Sequence, residues 1–270
     1  MSAKPILLIG AGRMGGALLK GWAARGIGPV IAVEPHPSPA LKAFARKNNV
    51  ALFSKVASID SVGARACVVA LKPQILKAEA AGLKPIAQSG ALMLSIAAGS
   101  SVAFMRAGWG AKTRIVRAMP NTPGAIGRGI SALFAAKGAT AKDKALAQTL
   151  LAALGPTVWV THERDIDAVT AVSGSGPAYF FLFVEALADA AERQGLPRPL
   201  AEQLARATLT GAGALLDAEP TPPAELRRNV TSPHGTTEAA LEILMAPNGL
   251  AKLVRRAVAA AARRAEELGR

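Results

Sequence analysis

The chain has 270 residues and 51% of them are apolar, enough to bury one large core or two modest ones, which excludes a disordered or fibrous protein. Aromatics reach only 4%, leaving Ala, Leu, Val and Ile to fill that core, a composition that suits close-packed helices and parallel strands buried on both faces. One cysteine, Cys67, excludes an internal disulfide, and a formal charge of +14 raises nucleic acid as a partner to be tested against the charge pattern.

Ile6-Leu-Leu-Ile9 reads as a strand rather than a secretory segment, since the apolar run is short and meets Gly10 and Arg13 without a cleavage pattern. Gly10-Ala-Gly12-Arg-Met-Gly15 then sets three glycines where the first strand turns into a helix predicted over Met14–Ala24. In a dinucleotide-binding turn Gly10 permits the tight bend, Gly12 lets a pyrophosphate approach closely, and Gly15 lets the helix pack on the sheet. The second strand, Val30–Val33, ends at Glu34, roughly 20 residues on, where a carboxylate accepts ribose hydroxyls and repels a 2′-phosphate. His36, Ser38 and Lys42 follow closely and offer partners to that phosphate, so NADH and NADPH both stay open.

Further strands are read at Ala51–Phe53, Cys67–Ala70, Leu92–Ile96 and Ile115–Val116, alternating with helical patterns. Cys67, inside Ala66–Ala70, reads as a small buried hydrophobe. Leu71-Lys72-Pro73, Ser95–Gly99 and Met119–Pro123 follow strands at the carboxyl edge, where open α/β sheets bind ligands. Pro73 suits a helix start, Lys72 is either a solvated loop residue or a ligand cation, and Asn121 and Thr122 either face a ligand or close a proline-fixed turn.

After Thr157–Val160 the strands stop, and Asp165–Val172, Pro177–Gln194, Leu200–Leu216 and Leu250–Leu268 carry a 3.6-residue period. The fold class is α/β, a Rossmann-type, mostly parallel sheet domain over 1–163 followed by an all-helical domain over 164–270. Gly211 and Gly213 imply close helix contacts and favour an interlocked dimer over a self-contained bundle. Phe180–Val184 is cut by Glu185 and Asp189, so no stretch is expected to span a bilayer, and a cytoplasmic chain is expected. Basic clusters at Arg227-Arg228, Arg255-Arg256 and Arg263-Arg264 alternate with apolar residues at helical spacing and lack interleaved aromatics, the pattern of solvated helix faces rather than a nucleic-acid surface.

Val230-Thr-Ser-Pro-His-Gly-Thr-Thr237 packs Ser232, Thr236 and Thr237 around a helix start, where the N–H groups of Gly235, Thr236 and Thr237 are expected to lack intrahelical partners and to attract a carboxylate. Ser173–Tyr179 reads as a second helix start, with Ser175 as N-cap and Pro177 in the first turn. Two such starts and a nicotinamide arriving from the first half would define a cleft for a small anionic substrate. Neither a metal-ligand pattern nor a G-x-S-x-G elbow occurs, which points to metal-free chemistry and away from hydrolysis.

Together, Gly10–Gly15, Leu71–Pro73, Arg117–Pro123, Asp167–Tyr179 and Asn229–Thr237 resemble pyrroline-5-carboxylate reductase along nearly the whole chain. The resemblance implies hydride transfer from NADPH or NADH to the C=N carbon of 1-pyrroline-5-carboxylate, giving L-proline, by a homodimer or a decamer built as a pentamer of dimers. It assigns cofactor contacts to Ile9, Gly10, Ala11, Gly12, Arg13 and Met14, to Ala70, Leu71, Lys72 and Pro73, to Ile96, Ala97 and Ala98, and to Asn229. Substrate contacts fall on Glu163, Gly235, Thr236 and Thr237, with Ser232 in the same loop, and the Thr237 hydroxyl is implied to bond the ring nitrogen and help protonate it. His234 departs from the family, which usually has glycine there, and Glu34 stands where many relatives carry a small or basic residue. Two rivals are a β-hydroxyacid dehydrogenase, whose lysine and asparagine are missing from Pro177–Glu185, and a non-catalytic dinucleotide sensor.

Overall fold

One eight-stranded sheet organises the computed structural model, which describes residues 4–59 and 63–269. Its strands are β1 (Ile6–Ile9), β2 (Val30–Val33), β3 (Ala51–Phe53), β4 (Ala66–Val69), β5 (Leu92–Ser95), β6 (Ile115–Met119), β7 (Ser131–Ala135) and β8 (Thr157–Trp159), in the order β3-β2-β1-β4-β5-β6-β7-β8. All neighbours are parallel except β6 and β7, which run antiparallel with Val116 opposite Ala135. Strand order reverses between β1 and β4, so the loops after these two strands open side by side, the place where doubly wound sheets bind nucleotides.

Helices α1 (Arg13–Ala24), α2 (Pro39–Lys47), α3 (Pro73–Glu79), α4 (Lys84–Gln88), α5 (Val102–Trp109), α6 (Ala141–Leu151) and α7 (Asp165–Val169) accompany the sheet. Strand alternation explains why β1 is apolar throughout. Ile6 and Leu8 enter a core with Leu18 and Trp22 of α1 and Leu150 of α6, while Leu7 and Ile9 enter a second with Leu76 of α3 and Met105 and Trp109 of α5. Each core tryptophan satisfies its indole N–H on a backbone carbonyl, Trp22 on Leu150 at 2.9 Å and Trp109 on Ala80 at 3.1 Å.

Strand β7 is absent from the sequence reading. Its run Ser131-Ala-Leu-Phe-Ala135 is short and bracketed by Gly129 and Gly138, and it becomes a strand through pairing with both β6 and β8.

Residues up to Ser175, together with those from Ala261 on, form one compact unit, and Gly176–Ala260 form another. The contact division thus falls at Ser175, beyond the junction at 163–164 read from composition. Within the second unit lie α8 (Gly176–Arg193), α9 (Arg198–Ala218), α10 (Pro223–Asn229), α11 (Thr236–Leu244) and most of α12 (Leu250–Leu268).

α8 does begin at Gly176 with Pro177 in its first turn, but Ser175 is not its N-cap. The chain passes from α7 through a π-turn, Thr170–Gly174, into α8, and Ser175 has helical dihedrals (φ −87°, ψ −25°) with its N–H on Thr170 O at 2.8 Å. Neighbouring hydroxyls bond backwards along the helix, Thr170 to Ile166 O at 2.7 Å and Ser173 to Val169 O at 3.1 Å. Gly174 permits this, since a Cβ there would stand 2.7 Å from Met119 Cε.

Continuity has a second result. Asp165–Arg193 runs on as 29 helical residues and holds an 18-residue window of mean hydropathy 1.3, so by length and composition alone it meets a membrane-crossing test that a core helix also meets. Phe180, Phe181 and Leu182 on it are more than half exposed in the single chain, as are Ile243 and Met245 of α11 and its end. Gly211 and Gly213 bring no backbones together within the chain, because a Cβ at either would meet nothing within 4 Å.

Candidate active site

The glycine loop shows why three glycines stand there. Gly10 has φ +89°, and a Cβ on it would lie 2.8 Å from Ala70 O. A Cβ on Gly15 would lie 2.0 Å from Gly10 O, so α1 starts against the loop only because that side chain is missing. Above Gly12 there is open space, with nothing within 4 Å of a Cβ. No side chain caps α1, and the N–H groups of Gly12, Arg13 and Met14 meet no acceptor among the described residues. Unbonded amides at a helix start beside an open glycine form a cradle that fits a pyrophosphate. Arg13, Lys20 and Ser38 line a cavity beside it.

Glu34 is bonded rather than free. Its Oε2 accepts the Ala11 N–H at 2.9 Å and its Oε1 the His36 N–H at 3.3 Å. The neighbouring strand ends are knit by Gly10 N–H to Val33 O, Ala70 N–H to Ile9 O and Ile96 N–H to Val69 O, at 2.9, 2.8 and 3.0 Å. These bonds bring Ile9–Met14, Ala70–Pro73 and Ile96–Ala98 to one sheet edge. Lys72 is exposed and Pro73 starts α3 as expected. Asn121 makes no local side-chain cap; its Oδ1 accepts the Ile130 N–H, nine residues on, at 2.9 Å. Burial pushes the Cys67 thiol up to about 12, so it is inert at neutral pH.

Glu163 belongs to the same unit. Its Oε1 accepts Arg117 Nη1 at 2.6 Å and the Val102 N–H, at the start of α5, at 2.7 Å. Asp167 stands beside this pair. Burial raises its carboxyl above the ordinary carboxylate range; the Arg117 charge opposes the rise and the Glu266 and Glu163 charges add to it. Arg117 had no role in the sequence reading, although an arginine inside the apolar strand Ile115-Val-Arg-Ala-Met119 signals a buried charge in need of a partner.

In the second unit, α10 ends at Asn229, and the loop to α11 carries exposed Ser232. Gly235 is the N-cap of α11 with no side-chain cap, and the N–H groups of Thr236 and Thr237 meet no acceptor among the described residues. The Gly235 N–H differs from expectation, donating to Ser232 O at 3.0 Å. His234 takes φ +58°, the left-handed conformation that glycine adopts without cost, which explains a glycine preference at this position. Its side chain is 98% exposed, while its N–H donates to Glu238 Oε2 at 2.7 Å. Each unit thus presents unbonded amides at a helix start, with a hydroxyl donor, Thr237, on the second.

Residues 163–268 match the family model described as pyrroline-5-carboxylate reductase dimerisation, and residues 5–99 match the one described as NADP oxidoreductase coenzyme F420-dependent. Pyrroline-5-carboxylate reductase of Pseudomonas aeruginosa is 40% identical over 269 residues, covering 99% of this chain and 98% of the relative. Among solved structures, a pyrroline-5-carboxylate reductase from Coxiella burnetii matches with TM-score 0.89 at 35% identity. The pyrroline carboxylate reductase of Plasmodium falciparum, with NADP bound, matches with TM-score 0.84 at 28% identity, and both matches cover 100% of each chain.

Proposed function

The chain belongs to the pyrroline-5-carboxylate reductase family, and from that premise we propose how its residues divide the reduction of 1-pyrroline-5-carboxylate to L-proline. A bound NADPH or NADH supplies the hydride to the C=N carbon. The amides of Gly12, Arg13 and Met14 would hold the dinucleotide's pyrophosphate and Glu34 its ribose, with Ala70–Pro73, Ile96–Ala98 and Asn229 as further contacts.

The Thr236 and Thr237 amides, with Gly235 and Ser232 beside them, bind the substrate carboxylate at the positive end of α11. The Thr237 hydroxyl donates a hydrogen bond to the ring nitrogen and relays to it a proton drawn from solvent, and the N–H so formed donates to Glu163. A protonated C=N is the better hydride acceptor, but orientation of the bound ring contributes more than this one proton donor. The observation that carries the assignment is the pair of unbonded amides at Thr236 and Thr237, on the segment Asn229–Thr237.

We also propose a homodimer, supported by the exposed apolar faces of α8 and α11 and by the dimerisation family matched over 163–268. Light scattering would separate that dimer from a pentamer of dimers, and the protein is placed in the cytoplasm, where reduced dinucleotides are supplied. The deciding experiment is steady-state oxidation of NADPH and NADH by purified protein with 1-pyrroline-5-carboxylate. Proline formation supports the assignment. No turnover with either cofactor, from folded protein that binds nucleotide, refutes it.

A further inference from the structure

Arg117 is a charged side chain set into the sheet. It lies on β6 opposite Ser95 of β5 and Phe134 of β7 and is 4% exposed. A guanidinium keeps its charge at any pH a protein survives, so this burial requires a fixed anion close by. Glu163, 46 residues further along the chain, supplies it at 2.6 Å.

The geometry at Glu163 is asymmetric. Both donors, Arg117 Nη1 and the Val102 N–H, meet the same oxygen, Oε1. Two donors on one oxygen fix where that oxygen sits, and charge-assisted bonds of 2.6 and 2.7 Å do so firmly. Oε2 receives no donor among the described residues, and the side chain keeps 32% of its surface exposed. One oxygen is locked, and the Glu163 side chain lines a cavity that Ser101, Asp167 and Glu266 also line.

The Val102 bond extends the effect. Val102 opens α5 directly after Ile96–Ser101, the connection from β5 that contains Ile96–Ala98. Holding Glu163 Oε1 therefore also pins the far end of that connection. Asp167 and Glu266 add negative charge around the same cavity, with Arg164 at its rim, so Arg117 is the buried cation against which Glu163 is set.

We propose that Arg117 is a positioning residue for the reductase reaction, holding Glu163 by Oε1 so that Oε2 alone is offered to the N–H of the substrate ring. The inference rests on the assignment of Glu163 to the substrate. Lysine at this position keeps the charge but loses the planar fork that aims it.

The test compares full-length wild type with Arg117→Lys, Glu163→Gln and the double variant, measuring kcat, KM for 1-pyrroline-5-carboxylate, KM for the reduced dinucleotide and the thermal midpoint. Arg117→Lys is expected to raise the pyrroline KM about tenfold with the dinucleotide KM within about twofold, and the double variant to be no worse than the weaker single variant. An unchanged pyrroline KM, a parallel rise in both KM values, additive effects in the double variant, or an Arg117→Lys protein that does not fold would assign Arg117 to stability alone and overturn the proposal. A folded wild type without turnover would instead strike the substrate assignment itself, and the positioning role with it.

Discussion

Glu34 Oε2 accepts the N–H of Ala11 at 2.9 Å, which places a carboxylate on the backbone of the glycine loop from the end of β2. That bond braces the loop, and in the proposed assignment it sets a negative charge where a 2′-phosphate would have to approach. Glu34→Ser removes the charge and keeps a hydroxyl, so the ratio of kcat/KM for NADPH to that for NADH is expected to rise about tenfold, or about 1.4 kcal/mol. An unchanged ratio would reduce Glu34 to a brace.

Thr237 lies in the first turn of α11, and the proposed assignment gives its amide to the carboxylate and its hydroxyl to the ring nitrogen. Thr237→Ala keeps the amide, so the pyrroline KM should change little while kcat falls about 10- to 100-fold, and Thr237→Ser should restore most of it. Equal losses in Ala and Ser variants would point to the methyl group's packing instead.

His234 is left-handed (φ +58°), its ring is 98% exposed, and Nδ1 stands 4.0 Å from Glu238 Oε2. Glycine keeps the N–H that Glu238 accepts, so His234→Gly should leave kcat/KM within about twofold and the pH–rate profile in place. His234→Val, branched at Cβ in the same conformation, should lower stability by about 1–2 kcal/mol. A displaced pH–rate profile in the glycine variant would restore a role for the imidazole.

Burial raises the Asp167 carboxyl above its unfolded value, with Arg117 opposing and Glu266 and Glu163 reinforcing the rise. The native state therefore holds this proton more tightly than the unfolded chain, and stability drawn from it is full below the unfolded carboxylate pKa and lost as pH rises through the folded one. Asp167→Asn should accordingly raise the thermal midpoint at neutral pH, with the gain shrinking as pH falls into the ordinary carboxylate range. Thermal scans from about pH 3 to about pH 8 would show it. A gain independent of pH would rule out the charge as its source.

Gly99 (φ +66°) carries the last turn of α12 against it, since a Cβ there would stand 2.9 Å from Leu268 Cβ and 3.0 Å from Leu268 C and O. Gly99→Ala should cost about 1–3 kcal/mol through overlap and backbone strain. Leu268→Ala should not rescue it, because the colliding Cβ, C and O atoms remain in alanine. Chemical denaturation of the single and double variants checks this, and full rescue would locate the contact further out on the leucine.

Much of the fold is legible in the sequence because its signals are local. Gly10, Gly12 and Gly15 sit between an apolar tetrad and a helix, and periodicity bounds α12 correctly from Leu250 to Leu268. The features that escape depend on distant partners. Strand β7 acquires its identity from β6 and β8, and the Ser173–Gly176 stretch stays helical where the Ser173 hydroxyl finds a carbonyl four residues back and Gly174 fits against Met119. In the site, spacing locates the glycine loop and Thr236–Thr237. It cannot reveal that Glu163 joins Arg117 and Val102, 46 and 61 residues away.

The last turn of α12 also imposes an order on biogenesis. Residues from Ala261 on belong to the unit built by residues up to Ser175, yet the ribosome makes them after all of Gly176–Ala260. The sheet can assemble early, but the ridge at Gly99 stays uncovered until the final helix has emerged. A nascent chain stalled before Ala261 therefore exposes an unfinished surface, which offers chaperones and proteases a means of telling partial products from completed ones.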